Sequence, residues 1–291
     1  MSSTTQYIPI YKQFIDLIEA GFGMLDEASQ LEIQQFVGSC QHADGSFVNR
    51  GGDSDLYYSL FGFWLSFALK LGGQLEQLKY FVLNEENGKQ KNTVDEFALR
   101  LIQIGLTTAK PPRIFLLKNL ISGKHQTNFS YQLFLFLLVF DARHGRKVWL
   151  YFFVRLWLRF YNTPANSPCS VLAALMVARH EVGMNTKESQ KQLFSYFDEK
   201  SGFRAFEHLE SGDLLSTSVA LFALQKVDLD LRLIAPACFD FIQSNYEQGA
   251  FLSGDGDETR DLEYTFYGLL ALGCLAASQK HQGRISRKKP S

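Results

Sequence analysis

The chain has 291 residues, 46% of them apolar and 20% charged, and its net charge is −1. Near-neutrality removes the electrostatic basis for binding nucleic acid, so none is expected as a partner. No run reaches the roughly eighteen apolar residues of a membrane-spanning helix, and the opening Met-Ser-Ser-Thr-Thr-Gln lacks the layout of a signal peptide, so the expected location is the cytoplasm.

In chain order, residues 1–8 read as a tail and 27–40 as a helix with one polar face. A Gly-Phe turn follows at Gly45-Ser46-Phe47, then a polar loop, then Asp55-Leu-Tyr-Tyr-Ser59 opening a mostly apolar helix. The same order recurs twice. Gly202-Phe203 leads to Asp213-Leu-Leu-Ser-Thr217, and Gly249-Ala250-Phe251 leads to Asp261-Leu-Glu-Tyr-Thr265. The step from Phe to Asp is ten residues in the last two copies and eight in the first. Repetition at a period of about fifty residues marks one supersecondary unit copied along the chain.

Weaker helix starts stand at Asp95, Asn128 and Ser167, the last followed by Pro168, which suits the first helical position. All six starts are residues whose side-chain oxygens accept the free N–H groups of a first turn. The helices behind them, such as 214–227 and 262–277, are apolar on nearly every side, and such helices are buried all round. Segments with one polar face alternate with them at 27–40, 75–86, 113–121, 146–161, 187–197 and 231–246. No period-two alternation of useful length competes, so the predicted fold is all-α with almost no sheet. Six outer and six inner helices in alternation are expected to close as a double ring in one domain over 9–280. The Gly-Phe turns tuck an aromatic ring under each hairpin. Residues 281–291, with Arg284, Arg287, Lys288 and Lys289, form a basic tail. The four cysteines, Cys40, Cys169, Cys238 and Cys274, lack metal-binding spacing and read as reduced, buried thiols.

The pattern Gln41-x-x-Asp44-Gly45-x-Phe47 … Asp-x-x-[Tyr/Ser]-[Ser/Thr], carried by Asp55–Ser59, Asp213–Thr217 and Asp261–Thr265, resembles the repeats of protein prenyltransferase β subunits and squalene-type terpene cyclases. With its weaker copies it covers residues 28–278. The resemblance implies an (α/α)6 toroid whose inner-helix starts line an apolar cavity for an isoprenoid. In the prenyltransferases three such positions hold zinc; the matching residues here are Asp213, Leu215 and Tyr264. Two of the three are poor donors, so no catalytic zinc is expected. The positions that grip the diphosphate hold Glu207 and Glu210 here, or Asp255 and Glu258 in the next copy. Carboxylates there repel a diphosphate unless a divalent ion such as magnesium bridges them. In the cyclases the middle acid of Asp-x-Asp-Asp-Thr protonates an alkene; the matching stretch is Asp261-Leu262-Glu263-Tyr264-Thr265.

The expected catalytic pair is therefore Glu263, in a first helical turn beside aromatic residues that would raise its pKa, with Asp261 behind it. Asp55 and Asp213 read as N-caps that also line the substrate cavity. Tyr57, Tyr58, Tyr264 and Tyr267 would line the path of a carbocation, which aromatic faces stabilise. His125, His144, His180 and His208 are isolated, and the acidic loop 253–258 reads as solvated, with cation binding as the other reading. The aromatic run 148–160 beside Arg143, Arg146 and Lys147 suits either peripheral membrane contact or packing between helices. The expected function is isoprenoid handling, with proton-initiated cyclisation of a polyprenyl substrate favoured over zinc-free prenyl transfer. A non-catalytic toroid that binds a lipid or a protein is the remaining reading.

Overall fold

The computed structural model describes residues 7–85, 91–107, 129–145, 148–161, 163–164 and 166–286. Among them are twelve helices and six strands of two residues each, so the all-α class holds. In chain order the helices are α1 (Ile10–Phe22), α2 (Glu27–Ser39), α3 (Leu56–Ala68), α4 (Gly72–Asn84), α5 (Thr93–Leu106) and α6 (Phe129–His144). There follow α7 (Val148–Phe160), α8 (Cys169–Glu181), α9 (Lys187–Phe194), α10 (Leu214–Lys226), α11 (Ala235–Ser244) and α12 (Leu262–Ser286). The expected segment 113–121, the start at Asn128 and His125 lie outside the described residues.

Packing divides the chain into two units, Met1–Asp16 with Val37–Lys147 and Leu17–Phe36 with Val148–Ser291. In the first unit α5 packs between α3 and α6, and α4 lies against α3 and α5. In the second, α10 packs between α8 and α12, with α9 against α8 and α11 against α12. Two of these helices, α3 and α10, are apolar on nearly every side. Nine residues of α3 and nine of α10 are buried, on every side of the helix.

Each clear repeat carries a short antiparallel hairpin. β1 (Phe47–Val48) pairs with β2 (Ser54–Asp55), β3 (Phe197–Asp198) with β4 (Gly202–Phe203), and β5 (Tyr246–Glu247) with β6 (Ala250–Phe251). An extra bridge from Gln41 to Phe47 reproduces in the first copy the Phe197–Phe203 and Tyr246–Phe251 pairings of the others. The turn before each Phe needs a residue in the left-handed region, and Gly45 (φ 94°), Gly202 (φ 72°) and Gly249 (φ 84°) supply it.

The repeated Asp and Ser/Thr have one local purpose. Asp55, Asp213 and Asp261 accept the backbone N–H three residues on, from Tyr58, Ser216 and Tyr264, at 2.8 to 2.9 Å. The hydroxyl one residue further reaches back to the strand. Phe47 N–H donates to Ser59 Oγ (2.8 Å), Phe203 N–H to Thr217 Oγ1 (2.9 Å) and Phe251 N–H to Thr265 Oγ1 (3.3 Å). All three Phe rings are buried, as expected for the Gly-Phe turns. Two of them sit on a glycine: a Cβ at Gly62 would lie 2.3 Å from the Phe47 ring, and one at Gly268 would lie 2.4 Å from that of Phe251.

The structure departs from the sequence reading at several helix starts. Asp95 is not a cap. Asn92 takes that place, accepting Asp95 N–H at 2.9 Å, and Asp95 falls inside the first turn. Ser167 does not cap either; its hydroxyl donates to Pro164 O at 2.7 Å. Pro168 occupies the cap position in extended conformation (ψ 147°), and Cys169 is the first helical residue. Expected helix 187–197 stops at Phe194 and 231–246 stops at Ser244, because Phe197 and Tyr246 enter strands. α12 runs to Ser286, into the stretch read as tail. α1 was absent from the sequence reading, although its buried Tyr11, Phe14, Ile15 and Ile18 follow helical spacing.

Three substitutions test this packing. Thr217→Val keeps the shape but strands the buried Phe203 N–H, and is expected to lower the unfolding free energy by about 1–3 kcal/mol with an unchanged urea m-value. Gly268→Ala forces a methyl into the buried Phe251 ring and is expected to destabilise by about 1–3 kcal/mol. Gly73→Ala, in the exposed start of α4 with nothing within 4 Å of the added Cβ, is expected to be neutral or stabilising by up to about 1 kcal/mol.

Candidate functional site

Three helix starts meet in the second unit. Cys169 N–H, at the head of α8, donates to Ala205 O at 2.9 Å, two residues past Phe203. Leu214 N–H, at the head of α10, donates to Ser253 O at 2.8 Å, two residues past Phe251. Each helix thus uses a first-turn N–H, which has no partner within its own helix, to grip the loop of the next repeat. The result is a recess of about 300 Å³ lined by Ser170 of α8, Asp213, Leu215 and Ser216 at the start of α10, Tyr264 of α12 and Asp255 from the acidic loop, among others.

The recess is acidic. Asp213 and Asp255 line it, and among the described residues no Lys or Arg does. Burial pushes the Asp213 carboxyl up, and the charge of Asp255 adds to that. Hydrogen bonds from Ser216 N–H and Oγ, both to Oδ2, at 2.8 and 2.6 Å, pull the other way without reversing the shift. Asp213 therefore holds its proton to higher pH than an ordinary carboxyl. Cys169 is fully buried, and burial, followed by the charge of Asp213, drives its thiol far up. It is no thiolate nucleophile.

The residues singled out from the sequence divide between the units. Tyr264 and Asp213 line the recess. Asp261 is 4% exposed, and its carboxylate accepts Tyr264 N–H at 2.9 Å. Glu263 lies half-buried in the first turn of α12 and is not part of the recess lining. The Tyr267 ring is buried, 6.4 Å from that of Tyr264 and 5.1 Å from that of Phe266. In the first unit Asp55 caps α3, and Tyr57 stands edge-to-face with Tyr58 (5.6 Å) and Phe61 (4.9 Å). The acidic loop largely organises itself: Ser253 Oγ and Asp257 N–H donate to Asp255, and Thr259 N–H donates to Asp257. Among the described residues no group of three or more His, Cys, Asp or Glu is placed to hold a metal ion.

One carboxyl of interest was read from the sequence only as a helix start. Asp95 is pushed up to about 6, first by burial and then by the charge of Asp55, with Lys91 partly opposing and Glu96 adding. The sequence placed Asp95 and Asp55 near two helix starts, but only the packing of α3 against α5 brings the two together.

Comparison with known proteins gives no match: no family model, no curated protein and no solved structure is significantly similar to the chain. The resemblance to isoprenoid enzymes rests on the motif residues themselves.

The shift at Asp95 has a sign that can be tested. The folded state keeps this proton to about pH 6, whereas the ordinary carboxyl releases it near 3.8. Its stabilisation is therefore full below 3.8 and lost as pH rises through 6. Asp95→Asn is expected to flatten that part of the stability profile, so its melting temperature falls less than wild type between about pH 4 and 7. A difference between the two proteins that stays constant across this range would contradict the shift.

Proposed function

We propose that the chain is an isoprenoid-handling enzyme of the prenyltransferase and terpene cyclase kind, with its helical hairpins arranged as an (α/α)6 toroid. The observation that carries the reading is the recess itself. Asp213, Leu215 and Tyr264, the positions that the resemblance equates with the zinc-binding corner of the prenyltransferases, line one recess at the starts of α10 and α12. Three helices packed in a row in each unit (α3, α5, α6 and α8, α10, α12), with other helices interleaved along the chain, also fit six copies of one hairpin. At about 300 Å³ the recess is at the lower end of ligand sites. It suits the reacting end of a chain.

The chemistry follows from charge. A diphosphate brought to Asp213 and Asp255 meets an acidic lining with no cation among the described residues, which disfavours prenyl transfer unless magnesium bridges the two. A neutral alkene or epoxide has no such conflict. Burial keeps Asp213 protonated to higher pH, as a general acid requires, and Asp255 supplies the nearby charge that opposes loss of the proton. The Tyr264 ring lines the same recess, where a cation–π contact would stabilise the carbocation. Asp213 is therefore the acid favoured by position, and Glu263 with Asp261 behind it is the competing assignment. Asp55, Tyr57 and Tyr58 occupy the equivalent helix start of another copy and would bind substrate there.

A second reading has its own support. The motif Asp and Ser/Thr residues are fully explained by capping and by tethering the strands, so a non-catalytic protein that binds a lipid or a protein partner would keep them too.

The deciding experiment incubates the chain with neutral polyprenyl compounds and with prenyl diphosphates, with and without magnesium, followed by mass spectrometry. Cyclised neutral product is expected from wild type and is expected to fall by about 10²–10⁴-fold in Asp213→Asn, which remains a good cap. Loss in Glu263→Gln with retention in Asp213→Asn would transfer the acid role to Glu263. Binding of polyprenyl compounds without turnover would favour the non-catalytic reading, and neither binding nor turnover would overturn the isoprenoid assignment.

A further inference from the structure

Helix α7 turns its aromatic side outward. Trp149 (59% exposed), Phe152 (64%), Phe153, Leu156, Trp157 and Phe160 (75%) are all exposed, while Leu158 is buried. Their spacing of three and four residues places them on one side. At about 100° per residue they fill a continuous arc of about 140°, and Leu158 lies opposite, toward α8. Trp149 and Phe153 stand edge-to-face at 6.4 Å, as do Phe152 and Phe153 at 5.8 Å. Arg155 and Arg159, both exposed, follow one another along the Phe152 edge of the arc.

The chain segment that carries this face is basic. Residues 142–180 contain six Lys or Arg and no Asp or Glu, in a chain whose net charge is −1. A second copy of α7 would bring the same arginines to the same face. Residues 108–128 are no better complement, because they too are basic, with Lys110, Arg113, Lys118 and Lys124 and no Asp or Glu. What suits a flat aromatic arc with a cationic rim is an apolar layer beneath an anionic surface. Tryptophan is also the residue favoured at the headgroup level. The helix has thirteen residues, too few to cross a bilayer, and no described helix is long and apolar enough to do so.

We infer that α7 is a membrane-docking helix that lies in the plane of an anionic lipid surface, its aromatic arc in the headgroup region and Arg155 and Arg159 against lipid phosphates. The inference does not depend on the proposed chemistry.

The test is flotation of the full chain with vesicles of phosphatidylcholine, alone or with about a third phosphatidylserine. Capture is expected with the anionic vesicles and is expected to weaken in high salt. Because Trp64 is buried, a blue-shifted emission that brominated lipid quenches would report Trp149 and Trp157 entering the headgroup layer. Phe153→Ser with Trp157→Ser is expected to abolish capture, with circular dichroism melting confirming an intact fold. Arg155→Gln with Arg159→Gln is expected to weaken capture by about fivefold per arginine. Three outcomes would overturn the inference: no capture by either vesicle, capture unaffected by the Phe153 and Trp157 substitutions, or light scattering that shows a dimer which those substitutions dissociate.

Discussion

A hydroxyl four residues past each capping Asp holds the strand and the helix of one repeat together. Ser59, Thr217 and Thr265 each accept the N–H of the buried Phe in the hairpin of their repeat. Ser59 and Thr265 also donate back to the carbonyl of their own cap, Asp55 and Asp261. That Phe could not otherwise be buried cheaply, since a strand of two residues leaves most of its backbone polar groups without ladder partners. With the Phe ring fixed beneath the helix, the loop after it projects toward the neighbouring repeat. Its carbonyls at Ala205 and Ser253 are then in place to accept the first N–H groups of α8 and α10. The recess is a consequence of this chain of bonds.

Such an arrangement was legible only in part. The Asp, the Ser/Thr and the Gly-Phe turn could be read because their spacing recurs, and spacing survives in sequence. Buried Phe rings, apolar central helices and the near-absence of sheet followed from it. Less could be read where a residue competes with its neighbours for one role. Asn92 and Asp95 are both good caps three residues apart, and only the fold decides that Asn92 caps and Asp95 enters the first turn. Ser167 precedes a proline whose extended conformation moves the helix start to Cys169, and the sequence does not reveal that Cys169 N–H has Ala205 O to bond.

The recess was harder still to foresee. Glu263 stood out as the acid that matches the middle position of the cyclase motif, and Asp213 was expected to cap its helix and line the cavity, with no signal that it would be the more buried, perturbed acid. Lining depends on which loops approach a helix start, a property of contacts distant in sequence. The Leu214 bond to Ser253 brings the acidic loop beside Asp213, and that proximity, together with burial, changes the chemistry of a residue whose local motif is the same as that of Asp55 and Asp261. α1 was missed for a different reason. It stands outside the repeat, so attention to the period passed over a helical stripe that is plain in Tyr11, Phe14, Ile15 and Ile18.

Capping and acid chemistry need not exclude one another at Asp213. Both hydrogen bonds from Ser216 fall on Oδ2. A neutral carboxyl has one carbonyl oxygen, which accepts, and one hydroxyl, which donates. If Oδ2 is the carbonyl oxygen, it can accept from Ser216 N–H and Oγ while the proton sits on Oδ1. The helix then keeps its cap, and the recess gains a donor held in one orientation. An asparagine preserves the accepting oxygen and replaces the acidic hydroxyl with an amide that cannot protonate an alkene. On the proposed reading, the cap bonds to Oδ2 would leave Oδ1 to carry the proton.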